Sequence, residues 1–374
     1  MKKLALVLLI ALAFRFPSVG AIGAEEAEQN ENYIVEEFPA LQVITFNMAL
    51  GWATRNNPNL ERINDMIDDV IQLRDQQQDM INYLRIINML TPEEEIARQR
   101  QINSLNAQIQ SMRTQREVIN LGAEAQLRSS IIALQNHFLD IRILEAQLEQ
   151  DIRALERTEA RMAGGLSNET ELASARLAVS QRQNALILAE MALENEFRQQ
   201  NRVLNRSATA EFVIIDLERE LIELPDNLTS FIRTTTAAQA TIRQLEIEER
   251  HARAVLSDRD VPVDSPEHRT RRRAAENATR SLEDARRSIE ASIRSSYNNL
   301  NTIYQRGESL EIDLQRALHN QETVLANYEG GLVTAFELAA AELAILAAEI
   351  AIERNLNLIW NAQFLLINPL LASN

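Results

Sequence analysis

Gly164-Gly-Leu-Ser-Asn-Glu-Thr-Glu-Leu-Ala-Ser-Ala-Arg-Leu177 and Gly330-Gly-Leu-Val-Thr-Ala-Phe-Glu-Leu-Ala-Ala-Ala-Glu-Leu343 lie 166 residues apart and match at eight of fourteen positions. The offset holds upstream without a gap. Leu127-Arg-Ser-Ser130 faces Ile293-Arg-Ser-Ser296, Leu134 faces Leu300, Leu144-Glu145 faces Leu310-Glu311, and Leu148 faces Leu314. Chance similarity between two Ala/Leu/Glu-rich helices explains scattered Leu matches. It does not explain paired glycines and Arg-Ser-Ser at one offset, which mark an internal duplication.

The helix breakers say what each copy is. Between Glu93 and Ala163 lie 71 residues with no Pro and only Gly122; between Glu267 and Glu329 lie 63 with no Pro and only Gly307. Each stretch reads as one continuous helix, about 95 to 105 Å long at 1.5 Å rise per residue, longer than a compact domain can use. A globular enzyme is therefore not expected. After each glycine pair the apolar period is 3.5, the coiled-coil condition. One stripe is Leu172, Ala175, Val179, Arg182, Leu186, Ala189, Leu193; its counterpart is Leu338, Ala341, Ile345, Ala348, Ile352, Asn355, Ile359. Arg182 and Asn355 are the polar intruders. Small Ala lets backbones approach, and the glycines permit the positive φ that reverses a helix onto its neighbour. Each copy is expected to be a long antiparallel coiled-coil hairpin with Gly-Gly-Leu at its tip.

Composition agrees with an all-α, elongated class: 374 residues, nine Gly, eight Pro, 5% aromatic and no Cys. Disulfides, cysteine-ligated metals and an N-terminal lipidated cysteine are excluded. With 38 basic against 54 acidic residues the net charge is −16, which argues against nucleic acid as a partner. Both lysines, Lys2 and Lys3, precede the apolar run Leu4 to Phe14 and a small-residue region, the pattern of a secretory signal cleaved after Ala21 or Ala24. Eleven apolar residues are too few to span a bilayer. Removing residues 1–24 takes away three positive charges and no acids, leaving −19. The chain is expected to divide into a signal (1–24), a first repeat (25–206) and a second repeat (207–374).

The two Gly-Leu-x5-Leu-x2-Ala tips, together with Ala53-Thr-Arg-Asn-Asn-Pro-Asn-Leu-Glu61 at the start of the first repeat, resemble the TolC-type outer-membrane efflux proteins over nearly all of the mature chain. That resemblance implies a homotrimer forming a hollow α-barrel across the periplasm. The tips, here Gly164, Gly165, Leu166, Gly330, Gly331 and Leu332, would close like an iris and dock on a periplasmic adaptor (membrane fusion) protein of an inner-membrane pump. It also implies an acid six residues after the second tip glycine, which falls on Glu171 and Glu337. The family's second acidic ring falls on Ala340, and a basic tip residue falls on Val333, so both are missing. Three copies of Glu337 near an axis would repel one another and raise their pKa. The plainer reading of Glu171 and Glu337 is that acids suit a helix first turn.

Members of that family insert two membrane-spanning strands in each repeat, each needing about nine to eleven residues. Here the first site offers Leu90-Thr-Pro-Glu93, and the second offers thirteen charged, Pro-broken residues from Leu256 to His268. Neither supplies two strands, and open sheet edges do not survive in lipid. Two strand-like stretches, Ala40 to Phe46 and Ala210 to Asp216, precede the wrong helices and fit connector or belt segments. Arg269, Arg271, Arg272 and Arg273 read as a solvated helix start, with anionic headgroups as the second reading. Asn355 to Asn374 is uncharged for twenty residues, yet five asparagines, a glutamine and a proline favour burial in a bundle over membrane.

No catalytic constellation, cofactor motif or metal set is recognisable; His137, His251, His268 and His319 stand far apart in sequence. The function read from the sequence is a passive exit duct of a tripartite efflux or type I secretion system. It would be exported to the periplasm or outer membrane, with outer-membrane association possible. The alternative is a non-channel structural coiled coil of the envelope, distinguished by whether Leu and Ile fill its axis.

Overall fold

The protein is described here from a computed structural model, covering residues 42–207, 210, 212–215, 224, 225, 227–257, 261–263 and 265–371; the signal segment and its cleavage sites fall outside them. In chain order these residues form β1 (Gln42–Thr45), α1 (Phe46–Arg55), α2 (Pro58–Ile86), α3 (Pro92–Ala163), α4 (Glu169–Val203), β2 (Phe212–Ile215), α5 (Leu228–Ala238), α6 (Ala240–Leu256), α7 (Pro266–Glu329) and α8 (Ala335–Ile367), with a 3-10 turn at Pro369–Leu371. The fold is all-α apart from the two short strands. The sequence strand–helix–helix–long helix–helix occurs twice. The two uninterrupted stretches are single helices of 72 and 64 residues.

Local chemistry sets the helix ends. Asn57, Asn168 and Asn227 are N-caps whose side-chain oxygens accept backbone N–H bonds from Asn59, Glu171 and Ser230, each 2.9 Å. Such caps are worth about 1 kcal/mol each. Pro58, Pro92 and Pro266 stand at first helical positions, where a missing N–H costs nothing. The C-terminal ends of α2 and α4 are closed by Asn88 and Asn205 at φ 52° and 51°, left-handed residues that turn the chain out of the helix.

The stretches expected as connector or belt segments supply β1 and β2. They pair with each other, in parallel, with Gln42 opposite Phe212 and Thr45 opposite Ile215. Parallel pairing needs a long crossover, and the whole of α1 to α4 provides it. Among the described residues no strand lies between α2 and α3 or between α6 and α7, the two places where barrel strands would enter, and no helix is long and apolar enough to cross a membrane.

Contacts divide the chain into two compact units, each drawing segments from both halves of the sequence. The first takes in the described residues of 1–51, 127–221 and 302–361. In it α3 meets α4 through a core of Phe138, Ile141 and Leu193, backed by Leu134, Leu186, Ala189 and Phe197, with Phe138 edge-on to Phe197 at 5.9 Å. Phe46 packs edge-on against Trp360 at 5.6 Å, and the Arg128 guanidinium lies 4.4 Å above the indole. Both polar intruders are matched. Arg182 donates to Asp151 at 3.1 Å and Gln147 at 2.7 Å on α3. Buried Asn355 donates to the Ile303 carbonyl at 3.2 Å, over Gly307.

The second unit takes in the described residues of 52–126, 222–301 and 362–374. Leu60, Ile63 and Ile67 of α2 pack on Met112 of α3. Arg286 of α7 pairs with Glu246 of α6 at 2.7 Å. Arg271 reaches the Val255 carbonyl at 3.1 Å and Glu267 at 2.8 Å. The arginine cluster is thus only partly a solvated helix start: one member neutralises the negative end of α6, which offsets its unfavourable place at the start of α7. The uncharged C-terminal stretch is buried at Asn355, Asn357, Ile359, Trp360, Ala362, Gln363, Phe364 and Leu366. Gln239 bonds the Ile367 carbonyl and Ser292 bonds that of Pro369 at 2.8 Å.

Candidate functional site at the hairpin tips

Both tips are the same device. In the first, Leu166 N–H bonds the Arg161 carbonyl at 2.8 Å and Gly165 N–H that of Met162 at 2.9 Å. In the second, Leu332 bonds Asn327 and Gly331 bonds Tyr328 at the same two distances. This crossed pair satisfies orphan carbonyls at a helix end and requires a left-handed residue at its centre. Gly165 and Gly331 fill that place, with φ of 72° and 71°. Gly164 and Gly330 do not need positive φ; a Cβ there would meet its neighbours at ordinary distances, 3.6 and 3.4 Å at the closest. Leu166 and Leu332 follow, 72% and 78% exposed, an apolar knob at each tip.

Glu171 and Glu337 sit in the first turns of α4 and α8 as reciprocal caps. Glu171 accepts from Ser167 Oγ at 2.5 Å while its N–H bonds Asn168. Glu337 accepts from Thr334 N–H at 2.7 Å and from Thr334 Oγ1 at 2.9 Å. These bonds, with a smaller contribution from Arg157, hold the Glu337 carboxyl below the usual range. Within one protomer the shift is therefore opposite to the rise that mutual repulsion would produce. Glu94 is capped by Thr91 in the same way and is lowered for the same reason.

The sequence reading missed what stands between the two hairpins near the tips. Arg157 of α3 lies 4.2 Å from the ring centre of Phe336 on α8, beside Glu337. Farther along the same helix pair, Arg142 meets Glu349 at 3.8 Å and Arg354 pairs with Asp140. A signal existed: Phe336 falls on Thr170 in the other copy, so the aromatic is a departure from the duplication. Among the described residues no group of three or more His, Asp or Glu is placed to hold a metal ion.

Two repeated strand–helix sets, hairpins reversed at glycine and long helices crossing both units make an architecture that solved structures share. OprN, an outer-membrane channel, aligns at TM-score 0.63 over 88% of this chain and 90% of its own, with 14% identity. VceC, an outer membrane protein of Vibrio cholerae, aligns at 0.58 over 87% and 95%, with 11% identity. The chain has the TolC-type fold. CmeC, an outer membrane channel of Campylobacter jejuni, aligns at 0.58 over 87% and 85%, with 12% identity. At these identities the likeness is one of fold. No protein-family model and no curated protein matches the sequence. The TolC-type fold accounts for the tips, for the duplication and for α3 bridging α4 and α8.

Proposed function

We propose that three copies of this exported chain close into a ring around a water-filled passage, a passive duct whose tips dock on a periplasmic adaptor protein of an inner-membrane pump. The observation that carries this reading is the pair of open helix edges in the first unit. Links run from α4 to α3, from α3 to α8 and from α8 to α7. The face of α4 turned away from α3 exposes Leu177, Leu188 and Met191, and α7 exposes Leu318, Leu325 and Tyr328. Unlike edges of this kind join head to tail, and a rotation that closes gives a ring. The second unit supports the same closure. Exposed Met66, Leu73 and Met80 on α2 stand among Asp65, Asp69, Asp75 and Asp79, while the start of α7 exposes Arg272, Arg273, Arg280 and Arg287.

On α8 the exposed residues after Glu337 include Ala344 and Ala347, small side chains that leave an axis open. The two tandem repeats, 25–206 and 207–374, each contribute one hairpin, and Glu171 and Glu337 stand near the narrow end. Energy comes from the pump; the duct itself carries out no reaction. Its fold-mates named as outer-membrane channels support an envelope location. The absence of described strands at both barrel positions favours a second reading, a structural coiled coil of the envelope without a channel. Cell fractionation followed by crosslinking of the intact protein separates the two: a trimer in the envelope fraction supports the duct, and a soluble monomer contradicts it.

A further inference from the structure

The turn joining α2 to α3 is built unlike the rest of this charged chain. Ile86-Ile-Asn-Met-Leu-Thr-Pro92 carries no charge, and it exposes Ile86 at 81% and Met89 at 69%. Tyr83, one turn back, and Ile96, one turn on, are exposed beside them. Exposed aliphatic clusters of this kind mark contact surfaces. The backbone of the turn is already satisfied: Ile87 N–H bonds the Tyr83 carbonyl, Asn88 that of Arg85 and Met89 that of Leu84, at 3.2, 3.2 and 3.0 Å. Thr91 N–H bonds Glu94, and Pro92 has no N–H. The nearest charges cancel in the Arg85–Glu95 pair.

We infer that this turn is a lipid-docking knob that inserts Ile86 and Met89 into the interfacial zone of an uncharged bilayer surface. A protein partner would normally supply hydrogen bonds across its interface, about one per 100–200 Å². This turn offers almost none beyond the Asn88 side chain, and its saturated backbone matches an occupant that supplies none, hydrocarbon. Tyr83 stands where an aromatic ring with a polar tip meets the headgroups. The occupant is neutral rather than anionic lipid, because a chain of net charge −16 is repelled by an anionic surface. The turn would thus hold the protein against a membrane without a barrel, a role beyond the duct reading and independent of it.

The test uses the full chain without its signal, floated with phosphatidylcholine vesicles. Binding is expected, and the Ile86→Ser/Met89→Ser variant should lose it by about tenfold or more with helix content and oligomer size unchanged. A Leu166→Ser/Leu332→Ser control should float as the parent does. A Met89→Trp reporter should be quenched by brominated acyl chains, against the baseline of Trp52 and Trp360. No flotation, flotation unchanged by the double variant, or flotation with phosphatidylglycerol vesicles alone overturns the inference. So does a change of oligomer size with an unquenched reporter, which would assign the turn to self-association. Ring closure is read separately, so failure here leaves the duct reading standing.

Discussion

The tips can be tested one glycine at a time, because the structure assigns the two members of each pair different work. At Gly165 and Gly331 a Cβ would meet nothing within 4 Å, so the cost of a side chain is backbone strain alone. Holding an L-residue in the left-handed region costs roughly 1–2 kcal/mol, most for β-branched side chains and least for Asn. The protein itself places Asn88 and Asn205 at φ 52° and 51° in the same position of two other helix ends. Gly165→Val and Gly331→Val should therefore each destabilise by about 2 kcal/mol, and Gly165→Asn and Gly331→Asn by only a few tenths. Gly164→Ala and Gly330→Ala, with ordinary contacts and no positive φ, should be neutral or gain about 0.4–1 kcal/mol from a less flexible unfolded chain. Urea denaturation followed by circular dichroism gives the ranking. Equal losses at Gly164 and Gly165, or Asn no better than Val, would refute the assignment.

Three further outcomes follow from side chains. Glu145, half-buried on α3, has its carboxyl pushed up by desolvation and then by Glu190. Its folded pKa lies above the unfolded value, so its ionised form is a penalty at neutral pH; Glu145→Gln should raise the melting temperature at pH 7, and the gain should shrink on acidification. Glu337 has the opposite sign: its stabilisation is present above the unfolded pKa and is lost as pH falls through the lower folded value, so Glu337→Gln should destabilise at pH 7 and have little effect in acid. Gly307→Ala would put a Cβ 3.0 Å from Asn355 Nδ2, and displacing that amide from the Ile303 carbonyl should cost about 1–2 kcal/mol in thermal unfolding. Gln200 is fully buried and neither atom of its amide has a partner among the described residues, so Gln200→Met should be neutral or stabilising by up to about 1 kcal/mol in denaturant titration.

Most of the fold was legible because it is written in local signals. Pro and Gly spacing placed α3 and α7 within a residue or two, since long helices need only the absence of breakers. The 166-residue offset located both tips. Arg182 and Asn355 were visible as intruders, but their partners Asp151, Gln147 and Ile303 lie on other helices and no sequence spacing points to them. The pairing of β1 with β2 was hidden for the same reason: two short strand-like runs do not announce each other across a long crossover. At the tips, the sequence treated the glycine pair as one unit, whereas backbone geometry separates them. Arg157 over Phe336 was missed because that contact joins two repeats, and reasoning within one repeat cannot reach it.

The central claim is that the exposed edge of α4 in one copy meets the exposed edge of α7 in the next. The register is set by the duplication. Arg142 meets Glu349 and Arg157 meets Phe336 between α3 and α8 of one chain, and moving both helices by 166 residues puts Leu318 opposite the stretch that ends at Leu177. The natural chain has no cysteine, so Leu177→Cys/Leu318→Cys introduces the only thiols. On oxidation of the intact protein in cell envelopes, non-reducing electrophoresis should show linked species that stop at three chains. A product that stays monomeric, or a ladder that runs past three, would contradict the closed ring.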